Sequence, residues 1–415
     1  MEKLYQDANA IIARSIEANL PGAAVRNALA GHTFCGNIYL VAIGKAAWNM
    51  AKAAHDELGD RIRKGVVVTK YEHSQGPIPN MEIVEAGHPL SDENTLRGAR
   101  LAIDLAKGLG EQDELLFLIS GGGSALFELP LPGISLDDII NINSQLLCCG
   151  AGIVEINTIR KRFSSVKAGR FAQIAAPAKV FTVVLSDVLG DSLDSIASGP
   201  AAPDLATVAD AKRVVEKYKL KVSDTMAKLL EEETPKSADN VETVITGSVS
   251  TLCRSAADIA RDLGYTPHIL SSTLNCEARE AGRMAASLAA QIGGGADSFS
   301  PPCAIILGGE TVVHIKGKGK GGRNQELALA AAEDIAGKED VIIFSFGSDG
   351  TDGPTDAAGG MVDGHTLAQL KEKGIDLHKV LDDNDSYHAL KAIDRLIVTG
   401  PTGTNVNDIA VILHK

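Results

Sequence analysis

The feature that most constrains this chain is a set of short runs that are apolar at nearly every position: NIYLVAIG at 37–44, ELLFLIS at 114–120, KVFTVVLS at 179–186, AIILGGE at 304–310 and VIIFSFG at 341–347. A strand with one wet face alternates apolar and polar residues. A strand that is apolar on both faces must be covered on both, and helices laid over a parallel sheet provide that cover. Each run stops after about six residues, well short of the roughly 18 that a membrane span needs. With 45% hydrophobic but only 4% aromatic residues, the interior is assembled from Ala, Val, Ile and Leu, and little is available to stack on nucleic-acid bases. The pattern predicts an α/β protein, and 415 residues exceed one ordinary domain.

Helical periodicity fills the intervals: the first 30 residues with a break at Pro21-Gly22, then 46–58, 93–108, 135–150, 153–160, 250–263, 277–292 and 324–336. Further strands are predicted at 64–69, 243–248, 266–272 and 311–315, with a terminal pair near 395–399 and 409–413. The adjacency of 304–310 and 311–315 predicts a hairpin-like departure from parallel order, hence a mixed sheet in the second half. QIGGGAD at 291–297 reads as a glycine-rich break. Acids, Pro235 and Asn240 gather at 230–240, which predicts a surface connection between a domain over 1–235 and one over 241–415.

Forty Lys plus Arg against 53 Asp plus Glu leave a net charge of −13. That balance disfavours nucleic acid or an anionic bilayer as partner but permits a small anion in a local basic pocket. The opening MEKLYQDANAIIARS carries acids and no apolar core, and does not read as a secretory signal. Six cysteines, Cys35, Cys148, Cys149, Cys253, Cys276 and Cys303, form no CxxC. They read as free thiols in a reducing, cytoplasmic setting. The expected partner is a small molecule, with monomer and dimer both left open.

Ligands of open α/β sheets bind beyond the carboxyl ends of the strands, so the residues after each apolar run are the candidates. Ser120, Gly121, Gly122, Gly123 and Ser124 offer backbone N–H groups for an anion, and equally suit a tight turn that needs small residues. Lys45 stands at a helix start, against the helix dipole, where an anion would explain it; the alternative is a stem lying on the surface. Arg160, Lys161, Arg162, Lys167 and Arg170 form either an exposed face or one wall of an anion site. In KGKGKGGR, Lys316, Lys318, Lys320, Gly321 and Gly322 read as a mobile basic loop over phosphates, with Arg323 and Asn324 anchored at the following helix. Asp349, Asp352, Asp356 and Asp363 crowd what reads as one glycine-rich loop, where a metal and plain turn capping are equally open. Asp349, Glu310 and Asp191 are the expected metal carboxylates, and Asp187 the group that orients or deprotonates an acceptor hydroxyl. The Ser120–Ser124 run is neither the dinucleotide GxGxxG nor the Walker GxxxxGK[ST], so a Rossmann dehydrogenase or a standard P-loop enzyme is not indicated. His73, His88, His314 and His388 are scattered and read as ordinary histidines. Together these features describe phosphoryl transfer by positioning and charge neutralisation.

IGKAAW at 43–48, EAGHPLSDENT at 85–95, LISGGGSALFELP at 118–130, EINTIRKRFSSVKAGRFA at 155–172, VLSDVLGDSLDSIASGP at 184–200, GGETVVHIKGKGKGGRNQELALAAA at 308–332, GSDGTDGPTDAAGG at 347–360 and TGPTGTNVNDI at 399–409 resemble the class II glycerate 2-kinases. Their C-terminal domain is named for a multi-organism fragment rich in leucine. The resemblance implies a Rossmann-like N-terminal sheet, an active site in the interdomain cleft, and active-site roles for Lys45 and Arg323. It also implies the reaction of ATP and D-glycerate, with a divalent cation that is usually Mg2+, to ADP and 2-phospho-D-glycerate. Within that frame, the carboxylate of D-glycerate is expected at Ser120–Ser124, helped by Arg160 or Lys167, and the nucleotide on the C-terminal side. Phosphorylation at the 3-hydroxyl and a non-catalytic hydroxy-acid-binding module are the alternatives.

Overall fold

A computed structural model describes residues 1–292 and 299–415; from Gly293 onward, the expected QIGGGAD break lies outside the described residues. By contacts the chain divides into two compact units, Pro21–Thr246 and a second made of Met1–Leu20 with Gly247–Lys415.

The first unit holds strands β1 (Asn37–Ile43), β2 (Ile62–Lys70), β3 (Met81–Ala86), β4 (Asp113–Ile119), β5 (Lys179–Leu185) and β6 (Val241–Gly247). They form a six-stranded sheet in the order β3-β2-β1-β4-β5-β6. Neighbours from β3 to β5 are parallel, the doubly wound arrangement whose strand order reverses between β1 and β4. β1, β4 and β5 are buried almost from end to end, as their unbroken apolar runs require. Phe117, Phe127 and Phe171 pack with ring centroids 4.9–6.2 Å apart beneath the turn that leaves β4. Truncating a buried aromatic of this kind costs about 3–5 kcal/mol. The sequence reading misses β3, whose Glu82 and Glu85 and half-buried pattern mark a sheet edge.

The second unit holds β7 (Thr266–Leu274), β8 (Cys303–Gly309), β9 (Val341–Gly347), β10 (Gly359–Asp363), β11 (Leu396–Ile397) and β12 (Asp408–His414), in the order β11-β10-β9-β12-β8-β7. β7 and β8 run parallel; the other pairings are antiparallel. The sheet is mixed, for a different reason from the one expected. Residues 311–315 make no strand, only an isolated bridge from Val312 to Glu277. The antiparallel order comes from β9, β10 and β12, although β9 is wholly buried. Burial on both faces reports cover by helices and does not determine strand direction. The terminal strands do not pair with each other: β11 joins β10, while β12 lies between β9 and β8.

The expected boundary at 235/241 is displaced in two ways. The run at 243–248 supplies β6 of the first sheet, and the first helix, Glu2–Ala18, belongs with the C-terminal residues. Its apolar stripe of Leu4, Ala8, Ile11, Ile12 and Ile16 is buried. The Tyr5 hydroxyl donates to Asp363 at 2.6 Å, and that of Tyr265 to Asp7 at 2.9 Å. Local periodicity identifies this helix but carries nothing about which sheet covers it. Among the described residues, no helix is long and apolar enough to cross a membrane.

Candidate functional site

In the first unit the chain reverses its winding between β1 and β4, and the residues that leave these strands interlock. Gly44 has φ +112°, and a Cβ on it would lie 2.3 Å from Ser120 Oγ, so only glycine allows the two turns to meet. Ser120 Oγ accepts the Ala46 N–H at 3.0 Å and donates to Ile43 O at 3.2 Å, while Lys45 N–H donates to Gly121 O at 2.9 Å. Ser120 is therefore a buried brace between two strand ends.

The three glycines each admit a different neighbour. A Cβ on Gly121 would lie 2.2 Å from Asp187 Oδ2, one on Gly122 3.1 Å from both His88 and the Lys45 stem, and one on Gly123 2.8 Å from Ala197. Ser124 Oγ lies 2.9 Å from Ser198 Oγ. The turn thus gathers Lys45, Asp187 and His88 around its backbone. The hydrogen bonds to Lys45 engage its carbonyl, from His73 Nδ1 at 2.9 Å and Thr69 Oγ1 at 3.4 Å. Its Nζ has no acceptor among the described residues. Burial holds the Asp187 carboxyl above the ordinary carboxylate range, against the opposing pull of the Lys45 charge. Asp191, farther along the same loop, has φ +53° and a buried Oδ1 without a hydrogen-bond partner among the described residues.

The basic run at 160–170 is neither an exposed face nor an open wall. Lys167 is fully buried under the turn and donates to Ser124 O at 2.9 Å and Phe127 O at 2.7 Å, with Glu128 at 3.1 Å. Lys161 lies between Asp194 and Asp204. Arg162 donates to Glu232 O and Ala206 O, and Arg170 to Lys161 O and Ser164 O. Arg160 bonds Asn143 at 3.3 Å, and burial holds its guanidinium below the usual arginine range. Lys167 has spent its donors on the protein, so the glycerate contact expected of it is replaced by support of the Gly121–Gly123 turn from below.

In the second unit, Arg323 opens the Arg323–Ala331 helix. Its Nε and Nη2 donate to Asp408 at 2.5 and 3.1 Å, and Nη1 lies 3.0 Å from Glu310. A guanidinium has five N–H donors; three are engaged here, and the half-exposed side chain keeps two for a ligand. These carboxylates hold Arg323 protonated well above its ordinary range despite burial. Burial pushes Asp408 up to about 6, while its bond to Arg323 pulls the other way. The sequence reading misses Asp408 because it lists only the ends of strands. β12 runs antiparallel to β8 and β9, so its first residue, Asp408, pairs with Gly309 and Gly347. An acid at the start of a last, antiparallel strand is the signal that finds it.

The 316–323 segment is not the free loop expected. Asn384 Oδ1 accepts the N–H groups of Lys316 and Gly317, Asp383 that of Lys318, and Asp385 that of Lys320. A Cβ on Gly321 would lie 2.2 Å from Ser386 Oγ, and one on Gly322 2.3 Å from the Asp352 carboxyl, so these glycines serve close backbone approach. Asn324 is buried, its Oδ1 accepting from Ser345 at 2.6 Å. Lys316 and Lys318 project outward, while Lys320 Nζ lies 4.6 Å from the Tyr387 ring centroid.

The four acids of the expected loop separate. Asp352 is buried and caps the Arg323 helix through the N–H groups of Asn324 and Gln325 at 3.1 and 2.9 Å. Asp349 accepts from Thr351 N–H at 3.0 Å, and Asp356 from the Tyr387 hydroxyl at 2.7 Å. Asp363 closes β10, held by Tyr5 and Thr366. Among the described residues, no three His, Cys, Asp or Glu side chains converge as a metal site. Of the three expected metal carboxylates, Asp191 lies in the first unit and Glu310 and Asp349 in the second. Glu310 and Asp349, both in the second unit, each keep one carboxylate oxygen without a hydrogen bond among the described residues. That suits a magnesium ion held mostly by nucleotide phosphates.

Comparison with known proteins finds one family match in each half of the chain. Residues 7–231 match a family described as a domain of unknown function, DUF4147, and residues 303–408 match the MOFRL family. A D-glycerate 2-kinase of Thermotoga maritima is 53% identical over 99% of this chain and 98% of its own length. A glycerate 2-kinase of Pyrococcus horikoshii is 45% identical over 91% of this chain and 87% of its own. A crystal structure of glycerate kinase from Thermotoga maritima superposes with a TM-score of 0.97 at 53% identity, covering 100% of both chains.

Proposed function

The chain belongs to the glycerate kinase family that carries a C-terminal MOFRL domain, and from that membership we propose that it transfers the γ-phosphoryl group of ATP to the 2-hydroxyl of D-glycerate. The observation that carries the reading is Lys45, whose Nζ has no acceptor among the described residues, beside the Gly121–Gly123 turn and Asp187. A point charge at this strand end neutralises oxygen on the acceptor or on the transferring group. Asp187 accepts the hydrogen bond of the reacting hydroxyl and so aims its oxygen; a loose transition state asks little more of a base. The glycerate carboxylate is assigned to the backbone N–H groups of Gly121 and Gly122.

In the second unit, the two unengaged N–H groups of Arg323 are assigned to the nucleotide phosphates, with Asp408 and Glu310 fixing the plane of the guanidinium. Lys316 and Lys318, which point outward from a fixed backbone, add positive charge along the same phosphates. Glu310 or Asp349, together with the nucleotide phosphates, would hold a magnesium ion, which when bound would neutralise charge on the leaving ADP. The reading takes the enzyme as cytoplasmic, where ATP coexists with reduced thiols such as its six free cysteines.

Phosphorus and proton NMR of the product formed from purified protein, Mg-ATP and D-glycerate tests the proposal. The expected product carries its phosphate on C2 and appears with an equal amount of ADP. Phosphate on C3 overturns the regiochemistry, and glycerate binding without ADP release overturns the kinase reading.

A further inference from the structure

His88 lies between β3 and the Glu93–Lys107 helix, in a segment fixed from several sides. Asp92 caps that helix through Thr95 N–H at 2.9 Å and accepts the Tyr71 hydroxyl at 2.6 Å. Ser91 Oγ donates to Ala125 O at 2.7 Å, which stitches the segment to the helical turn after Gly122. The imidazole is thereby held over Gly122: Cδ2 and Nε2 are each 3.1 Å from where a Cβ would stand, the same distance as the Lys45 stem. What acts on the ring is burial and the charges of Lys45, Lys70 and His73, and neither ring nitrogen has a hydrogen-bond partner among the described residues. His73 differs, since its Nδ1 is occupied by the Lys45 carbonyl.

We propose that His88 is the specificity-determining residue of the acceptor site, hydrogen-bonding the glycerate hydroxyl that is not phosphorylated and so selecting a dihydroxy acid over its monohydroxy analogue. The inference rests on the glycerate reading of this same site. The reacting hydroxyl calls for the charges of Lys45 and Asp187. An uncharged imidazole has one donor and one acceptor nitrogen, the complement of a hydroxyl that both donates and accepts. Burial and the charges of Lys45 and Lys70 hold His88 below the usual histidine range, so it is neutral near pH 7. A polar group placed to bond a substrate hydroxyl rejects the analogue that lacks it, because the group is then left unpaired.

The test compares D-glycerate with D-lactate, which keeps the carboxylate and 2-hydroxyl and lacks the 3-hydroxyl, in wild type, His88→Ala and His88→Gln. Wild type is expected to favour glycerate in kcat/KM by about 100-fold or more. His88→Ala should bring the two acids to within about tenfold, while His88→Gln, which still donates and accepts, keeps most of the preference. KM for ATP should not move. An unchanged preference in His88→Ala, with glycerate still turned over, overturns the role of His88 alone. If wild type turns over neither acid, the glycerate reading fails and takes this inference with it. Should His88→Ala prove inactive, calorimetric affinities for the two acids replace the rates: a lost preference supports the proposal, and a retained one overturns it.

Discussion

Among the described residues Lys45 pairs with no carboxylate and Arg323 with two, and the difference sets what each loses on substitution. Lys45→Met removes an uncommitted charge without orphaning a protein group. Arg323→Met strands Asp408 and Glu310 as well. Both are expected to lower kcat by about 100-fold, roughly the 2.7 kcal/mol of a lost transition-state contact. Single-turnover transfer measures it, and only Arg323→Met should also lower thermal stability. A near-wild-type transfer rate in either variant would remove that residue from the mechanism. Asp187 behaves differently because its folded-state pKa lies above its unfolded one. The folded chain then binds the proton more tightly, so near pH 7 keeping the carboxylate ionised costs stability. That cost fades as pH falls through the folded value toward the unfolded one. Asp187→Asn is accordingly expected to raise Tm at pH 7, with the gap closing in acid, while slowing transfer less than Lys45→Met does. Calorimetric melts across pH decide it, and a lower Tm for the variant at pH 7 contradicts the assignment.

At the scale of elements, Asp352 illustrates how one residue serves both a helix and a site. Its carboxylate satisfies the first N–H groups of the Arg323–Ala331 helix and the Gln325 side chain. Asp352→Ala is expected to lose about 1–2 kcal/mol of cap energy, read as a lower urea midpoint, and to reduce kcat through Arg323 without touching substrate. An unchanged midpoint would show that the cap is dispensable. Among the legible strands, β1, β4, β5, β8 and β9 are buried on both faces, where apolar residues follow one another without interruption, while β2, β6, β7, β11 and β12 also fall at the expected places although β6 and β7 are only part-buried. β10 was not legible because it opens with Gly359-Gly360, and a Cβ on Gly359 would lie 1.9 Å from Ser345 O. Of the glycines that disguise it as a loop, Gly359 is required by the pairing with β9 and Gly360 by the helices packed on the strand, where a Cβ would lie 2.6 Å from Leu390. The basic loop failed in the opposite direction. Its glycines read as freedom, and they are points of close backbone approach, Gly317, Gly319 and Gly321 to Asp383–Ser386 and Gly322 to Asp352.

For the whole molecule, the placement of Met1–Leu20 with Gly247–Lys415 carries a consequence for folding. Removing residues 1–20 uncovers the apolar surface that Leu4, Ile11 and Ile12 cover, and leaves Asp363 without Tyr5. The truncated chain is expected to lose hydrogen-exchange protection in β9, β10 and the Val249–Asp262 helix, while the strands of the Pro21–Thr246 unit keep theirs. Equal protection in both units would show that the first helix is an ornament.

The sequence by itself determined the α/β class, most of the strand and helix positions, and the turn residues around Lys45 and Arg323, because these depend on local periodicity and on which residues leave a strand. Only the tertiary structure decided which sheet receives residues 1–20 and 241–247, that the cations at 161–170 are spent on buried carbonyls and carboxylates, and that Asp408 and His88 stand beside the two chemically prepared cations. Those facts depend on contacts between residues far apart in the chain. A single sequence read in local windows carries composition and period, and not the partner that each side chain meets.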